Sequence, residues 1–172
     1  MRKPSILVFL LLFIPFLEGF SQISATEIDS KWNNLKMALT RRSDHIIEFS
    51  NYISKSNKGN IKGLKESKEI SSSLRNDLNN ITSIDSLIIN RLKSKNDSLT
   101  NSFKIVLKKI NIDQTFHKPN KSQEFLMRLE GIDNRIYFEK KEFNKACREN
   151  GRVDLLFGND DHSNIVEDIN KE

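Results

Sequence analysis

Turn-forming residues are scarce in this sequence: six glycines and three prolines serve 172 residues. A sheet-rich domain needs a turn about every 8 to 12 residues, usually marked by such residues, so their scarcity argues against a sandwich or a barrel. Cysteine is scarcer still. The single Cys147 cannot close an intramolecular disulfide, and no Cys/His spacing resembles a structural zinc site. Stability must therefore come from packing. A glycine-rich phosphate loop, a nucleophile elbow and the H-E-x-x-H pattern are all missing. So is Glu-x-x-His, the spacing that a carboxylate-bridged metal site in a helical bundle requires. The expectation is a protein with no catalytic residues, no cofactor and no metal.

Lys, Ser, Asn, Ile and Leu dominate what is present, and charged residues make up 30% of the chain. The formal net charge is +5, and it falls by only one if Arg2, Lys3 and Glu18 are left out. A nucleic-acid-binding domain usually gathers its basic residues on one face. Here Lys and Arg are spread along every expected helix and interleaved with Asp and Glu, which argues against nucleic acid as a partner. The lysines at 55, 58, 62, 65 and 68 are the densest run. A peripheral membrane or polyanion-binding protein would use such a face, with steep salt sensitivity.

The N-terminus, "MRKPSILVFLLLFIPFLEGFSQ", carries a basic tip and an apolar run from Ile6 to Leu17. That run is shorter than the ~20 residues of a comfortable membrane span. It fits a secretory signal, with the small residues Gly19 and Ser21 placed for a cut before Gln22. An uncleaved signal anchor is the alternative. Either way the positive tip stays inside and the domain is exported, to lie in the periplasm or tethered to the membrane outside the cytoplasm. The chain then divides into residues 1–21 as signal peptide or anchor, 22–157 as a helical domain, and 158–172 as an acidic, frayed tail.

"SATE" (Ser24–Glu27) reads as a capping box that starts the first helix. Its apolar positions, Ile28, Trp32, Leu35, Leu39, Ile46, Phe49 and Ile53, alternate by four and three residues, which is a heptad seam with one member missing. The missing member is Arg42. "SNKGN" (Ser56–Asn60) ends that helix. Ile61, Leu64, Ile70, Leu74, Leu78 and Ile81 form a second stripe, and Ile84, Leu87, Ile88, Leu92, Leu99, Phe103, Val106 and Ile110 a third. The polar patch "NNITSIDS" (Asn79–Ser86) splits these stripes into two helices, unless one long helix runs through. Pro119 stops the chain in a loop spanning 111–122. A last helix from about Ser122 to Asn150 carries Phe125, Leu129, Ile132, Ile136, Phe143 and Ala146, with Glu139 in the gap, and closes at Gly151. The fold class is all-α: an antiparallel bundle of about four long helices. Arg42 and Glu139, each the fifth seam position of its helix, are expected to pair across the bundle.

Two stretches resemble a known family. "KWNNLKMALTRRSDHIIEFSNYI" is similar to the first signature of the LemA family, through Trp32, Arg41, Arg42, Asp44 and Ile46. "LEGIDNRIYFEKKEFNKAC" resembles its second signature, through Leu129, Glu130, Asn134, Arg135, Ile136, Phe143 and Asn144. The sequence departs from the family's pattern at His45, Ile47 and Glu139. The resemblance implies an all-helical antiparallel bundle at the bacterial cell envelope, associated with the membrane through its N-terminal segment and without enzymatic activity. An interaction or scaffold role with an envelope protein partner follows from it.

Each candidate residue has two readings. Arg42 is either an anion or partner site, or a register device paired in the core. Asp44, Asn134 and Arg135 either line a polar stripe for a partner or are solvated, with Arg41 and Asp44 paired along their own helix. "NDDH" (Asn159–His162) contains metal-ligand residue types but has no second cluster to complete a shell. Cys147 reads as a small buried hydrophobe.

Overall fold

The structure, a computed structural model, describes residues 6–55, 61–112, 119–161 and 166; within these stretches the side chains of 6–25, 111–112 and 119–122 lie outside the description. Four α-helices follow one another: α1 (Ile6–Lys55), α2 (Leu64–Asn80), α3 (Ser86–Ile112) and α4 (Pro119–Glu149), with a short 3-10 turn at Val153–Leu155. No strand occurs among the described residues. This is the all-helical bundle the turn-poor composition predicts.

All eight heptad positions of α1, from Ile28 to Ile53 and including Arg42, are buried. Every seam position is therefore spent on the interior, as a four-three alternation on a 3.6-residue helix dictates. The helix does not start at Ser24, however. It runs unbroken from Ile6, so "SATE" lies inside a helix that the preceding Leu- and Ile-rich run already propagates. Among the described residues no helix is long and apolar enough to cross a membrane. The expected signal or anchor segment has its side chains outside the described residues.

The stretch 61–110 forms two helices. The break falls at Ile81–Asp85, inside the polar patch, and Asp85 Oδ1 accepts the Ile88 amide at 2.7 Å to cap α3. At the other end of α2, Gly63 takes φ 87° ahead of the helix, where a Cβ would sit 3.2 Å from the Ser102 carbonyl. Ser67 and Ser71 are buried beyond it, and the Ser67 and Ser102 hydroxyls meet at 2.6 Å. Small residues thus let α2 and α3 approach closely, where the expected stripe offered only Ile70 between Leu64 and Leu74. On α3, Ile89 is buried and Leu87 is 79% exposed, the reverse of the expected stripe, because the cap at Asp85 sets the phase of the first turn.

Pro119 opens α4 instead of stopping a loop, the position where its missing N–H costs nothing. The expected loop 111–122 is therefore shorter, and residues 113–118 lie outside the described residues, as does "SNKGN". At the far end, Gly151 (φ 68°) reverses the chain, with Arg152 N–H donating to the Cys147 carbonyl at 2.7 Å.

Close backbone packing links α1 with α4, α1 with α2, and α2 with α3. Among the described residues α3 and α4 hardly approach each other at the backbone. The ring of four helices is loosest on that side, where the segment after α4 touches both helices and the buried pair Arg42 and Asp133 lies.

Candidate functional site

Arg42 emerges from α1 at mid-height and is only 4% exposed. Its Nη1 donates to Asn96 Oδ1 and to Thr100 Oγ1, both at 2.9 Å on α3. Its Nε lies 2.9 Å from Asp133 Oδ1 on α4, a close ion pair in which the N–H is not aligned on the oxygen. Asp133 is equally buried. Three helices are tied at this level by one guanidinium. Removing one partner of such a pair costs about 3–5 kcal/mol, because the other charge stays buried alone.

The expected pairing of Arg42 with Glu139 does not occur. Glu139 is buried but accepts from Arg135, four residues earlier on its own helix and largely exposed. The register explains the difference. Trp32 packs on Phe143, with ring centroids 5.6 Å apart, and Lys31 bonds Glu142 at 2.9 Å. Ten residues on along α1 is Arg42, and ten back along α4 is Asp133. Glu139 lies six residues away, about 9 Å along the axis at 1.5 Å per residue. Matching the two charged gaps by rank along each seam assumed that the helices start level, and they do not. Asn96 could have been found: it fills the gap in the α3 stripe between Leu92 and Leu99.

The other residues singled out by the resemblance divide into two groups. Trp32, Leu129, Phe143 and Asn144 are buried. Trp32 also faces Phe157 at 6.4 Å, so one aromatic cluster joins α1, α4 and the segment after α4. Asn144 holds that segment down. Its Oδ1 accepts the Phe157 amide at 2.8 Å, and its Nδ2 donates to the Gly158 carbonyl at 3.1 Å and to Asp160 Oδ1 at 2.8 Å. Arg148 pairs with Asp160 at 2.7 Å, and Lys140 donates to the Asp161 carbonyl at 3.1 Å. The tail expected to fray from Gly158 instead lies along α4 as a strap, at least through Asp161; His162 is outside the described residues. Burial pushes the Asp160 carboxyl up, but the Asn144 and Arg148 hydrogen bonds outweigh that and hold it below the usual carboxylate range.

Arg41, Asp44, Glu130, Asn134 and Arg135 lie at or near the surface. Asp44 does not pair with Arg41. It accepts from Arg75 of α2 at 2.9 Å, because α2 lies alongside α1 at that level. Arg41 makes no ion pair among the described residues. Arg41, Asp44 and Arg135 come together in a shallow recess between α1 and α4 of about 430 Å³, with Ala38, Gly131 and Ile132 at its base. His45, which departs from the family's pattern, is buried beside it, its Nε2 donating to the Phe125 carbonyl at 2.8 Å.

The larger recess is on the open side. A cleft of about 540 Å³ lies between α3 and α4, with Arg42 and Asp133 at its floor. α3 contributes Lys93, Asn96, Asp97, Thr100, Asn101 and Lys104; α4 contributes Ile136, Tyr137 and Lys140; the strap contributes Phe157, Gly158, Asn159 and Asp161. Burial pushes the Lys140 ammonium below its ordinary value, against the opposing pull of Asp160, Asp161 and Asp97. Besides Arg42, the sequence singled out only Ile136, as a signature and seam residue, and Asn159 and Asp161, within "NDDH"; the polar types of most of the others read as a solvated face. Cys147 is buried, and burial raises its thiol to about 11, far from the thiolate a nucleophile needs at neutral pH.

Comparison with protein-family models, with curated proteins and with solved structures gives no match.

Proposed function

We propose that this chain is a LemA-like, non-catalytic helical bundle of the bacterial cell envelope that works as an interaction module. One observation carries the reading: the residues of the two LemA-like signatures meet across α1 and α4 and are used to build the frame. Trp32 stacks on Phe143, Arg42 is held in the interior, and Asn144 clamps the strap. Residues of a reacting centre need a shared space in which a substrate atom can sit near several of them; Trp32, Phe143, Arg42 and Asn144 are instead spent on packing and internal hydrogen bonds. The N-terminal basic tip and apolar run support export, and the intact mass of the exported protein distinguishes a free domain beginning at Gln22 from a tethered one.

The α1–α4 recess is the surface this reading assigns to a protein partner. Arg41, exposed and without an ion-pair partner among the described residues, stands at its rim beside Arg128 and Arg135, over the apolar base of Ala38 and Ile132. Such an arrangement suits an amphipathic segment with acidic flanks. The test is photo-crosslinking in cells from position 131, in the recess, and from position 62, in the exposed turn before α2. A discrete adduct from 131 that disappears in Arg41→Glu is expected, with none from 62. The same adducts from both positions, or none from 131, would remove the partner reading. Discrete adducts from 62 alone would favour the lysine run at the start of α2, where Lys62, Lys65 and Lys68 are exposed.

A further inference from the structure

The open α3–α4 side of the bundle has no counterpart in the α1–α4 seam. There the helices close on Trp32, Phe143, Phe49 and Phe125. A bundle shaped by stability alone closes its remaining seam in the same way. Instead, one face of α3 is polar from Lys93 to Lys104, about 16 Å at 1.5 Å per residue, and the facing turns of α4 present Asp133, Tyr137 and Lys140. The resulting volume, about 540 Å³, lies within the range of ~300–1,000 Å³ that small-molecule sites occupy.

The charges in the lining nearly balance. Arg42 is answered by Asp133 at the floor, and Lys93, Lys104 and Lys140 face Asp97 and Asp161 around the walls. An anion would gain little from so mixed a field and would meet two carboxylates. Fixed donors and acceptors, set between with the amides of Asn96 and Asn101 and the Thr100 hydroxyl, suit a ligand that both donates and accepts at many points and carries no net charge. Tyr137 and Phe157 add aromatic surface to an otherwise polar lining. The floor is already organised, since Arg42 is tied to Asn96, Thr100 and Asp133, so little ordering is required on binding.

We infer that the cleft between α3 and α4 is a binding site for an uncharged polyol of mono- or disaccharide size, floored by Arg42 and walled at one end by the Phe157–Asp161 strap. This goes beyond the interaction role proposed above and does not depend on it.

Trp32, the single tryptophan, supplies the readout, because its ring lies 6.4 Å from that of Phe157, which lines the cleft. Full-length protein is titrated with glucose, N-acetylglucosamine and maltose, and with inorganic phosphate at constant ionic strength, following Trp32 fluorescence. Saturation by at least one sugar at millimolar or lower concentration is expected, and none by phosphate. Asn101→Leu, at an exposed position of α3 that need not disturb folding, should weaken that binding about tenfold, as loss of one or two hydrogen bonds implies. Lys62→Leu, in the turn before α2, should leave it unchanged. Absence of saturation by all three sugars, saturation by phosphate instead, or unchanged affinity in Asn101→Leu overturns the assignment.

Discussion

Arg42 shows what a single buried charge does in this bundle. Its neighbours along α1, Leu39 and Ile46, are fully buried, and the guanidinium meets the α3–α4 cleft only at its floor. Asn96, Thr100 and Asp133 supply its partners from two other helices. Arg42→Ala and Asp133→Ala are each expected to lower stability by about 3–5 kcal/mol, measured by urea unfolding. The double mutant should cost clearly less than the sum, whereas Arg42→Ala and Glu139→Ala should add to within about 0.5 kcal/mol. Additivity in the first cycle, or coupling in the second, would contradict the register. That Arg42 is interior was legible from the heptad count alone. Its partner was not, because periodicity fixes the face of a helix but leaves its axial level free. Contacts between particular residues, Trp32 with Phe143, Lys31 with Glu142 and Phe49 with Phe125, set that level, and no pattern in either helix announces them.

The elements divide by how their burial arises. α1 was readable from Ile28 to Ile53, where it buries a regular stripe of large side chains, but its start was not. For α2 and α3 the sequence left one helix or two open, with the polar patch marking where a break would fall, and their contact at Gly63, Ser67 and Ser102 was invisible, because small residues carry no hydrophobic signal. The strap after α4 was missed for a related reason. It is held by hydrogen bonds from Asn144, Arg148 and Lys140, and a polar, acidic segment gives no hint of such partners. Asn144→Ala removes the acceptor for the buried Phe157 amide, a loss worth about 1–3 kcal/mol, and should free residues 157–161 to hydrogen exchange while α1 stays protected. Acid should release the strap as well. Asp160 is held below its unfolded value of about 3.9, so its ionised form stabilises the fold above that pH, and this contribution is lost as pH falls through the lower folded value. A change in Trp32 fluorescence is therefore expected below about pH 4 and should be missing in Asp160→Asn; an identical acid profile in that variant would show that the strap is held by other means.

Taken whole, the molecule is a ring of four helices closed along three seams and parted by a cleft in the fourth. The apolar seams were legible as stripes, while the open side was not, because a polar cleft wall and a solvated helix face have the same composition. The three closed seams also differ in chain distance. α1–α2 and α2–α3 join consecutive helices, but Lys31 and Glu142, in the α1–α4 seam, are 111 residues apart in sequence. Bringing distant segments together carries a loop-closure cost before any contact repays it, although that cost grows only slowly with length. The α1–α4 seam is thus the one expected to form late, with α1, α2 and α3 already associated at the barrier. Phe143→Leu should then speed unfolding and leave the folding rate nearly unchanged, whereas Leu78→Ala should slow folding. Equal effects of both on the folding rate would place the α1–α4 seam in the nucleus instead. On this view the contact that pairs the two signature stretches is the last to be made and the first to be lost, so the clasp of the ring is also its point of opening.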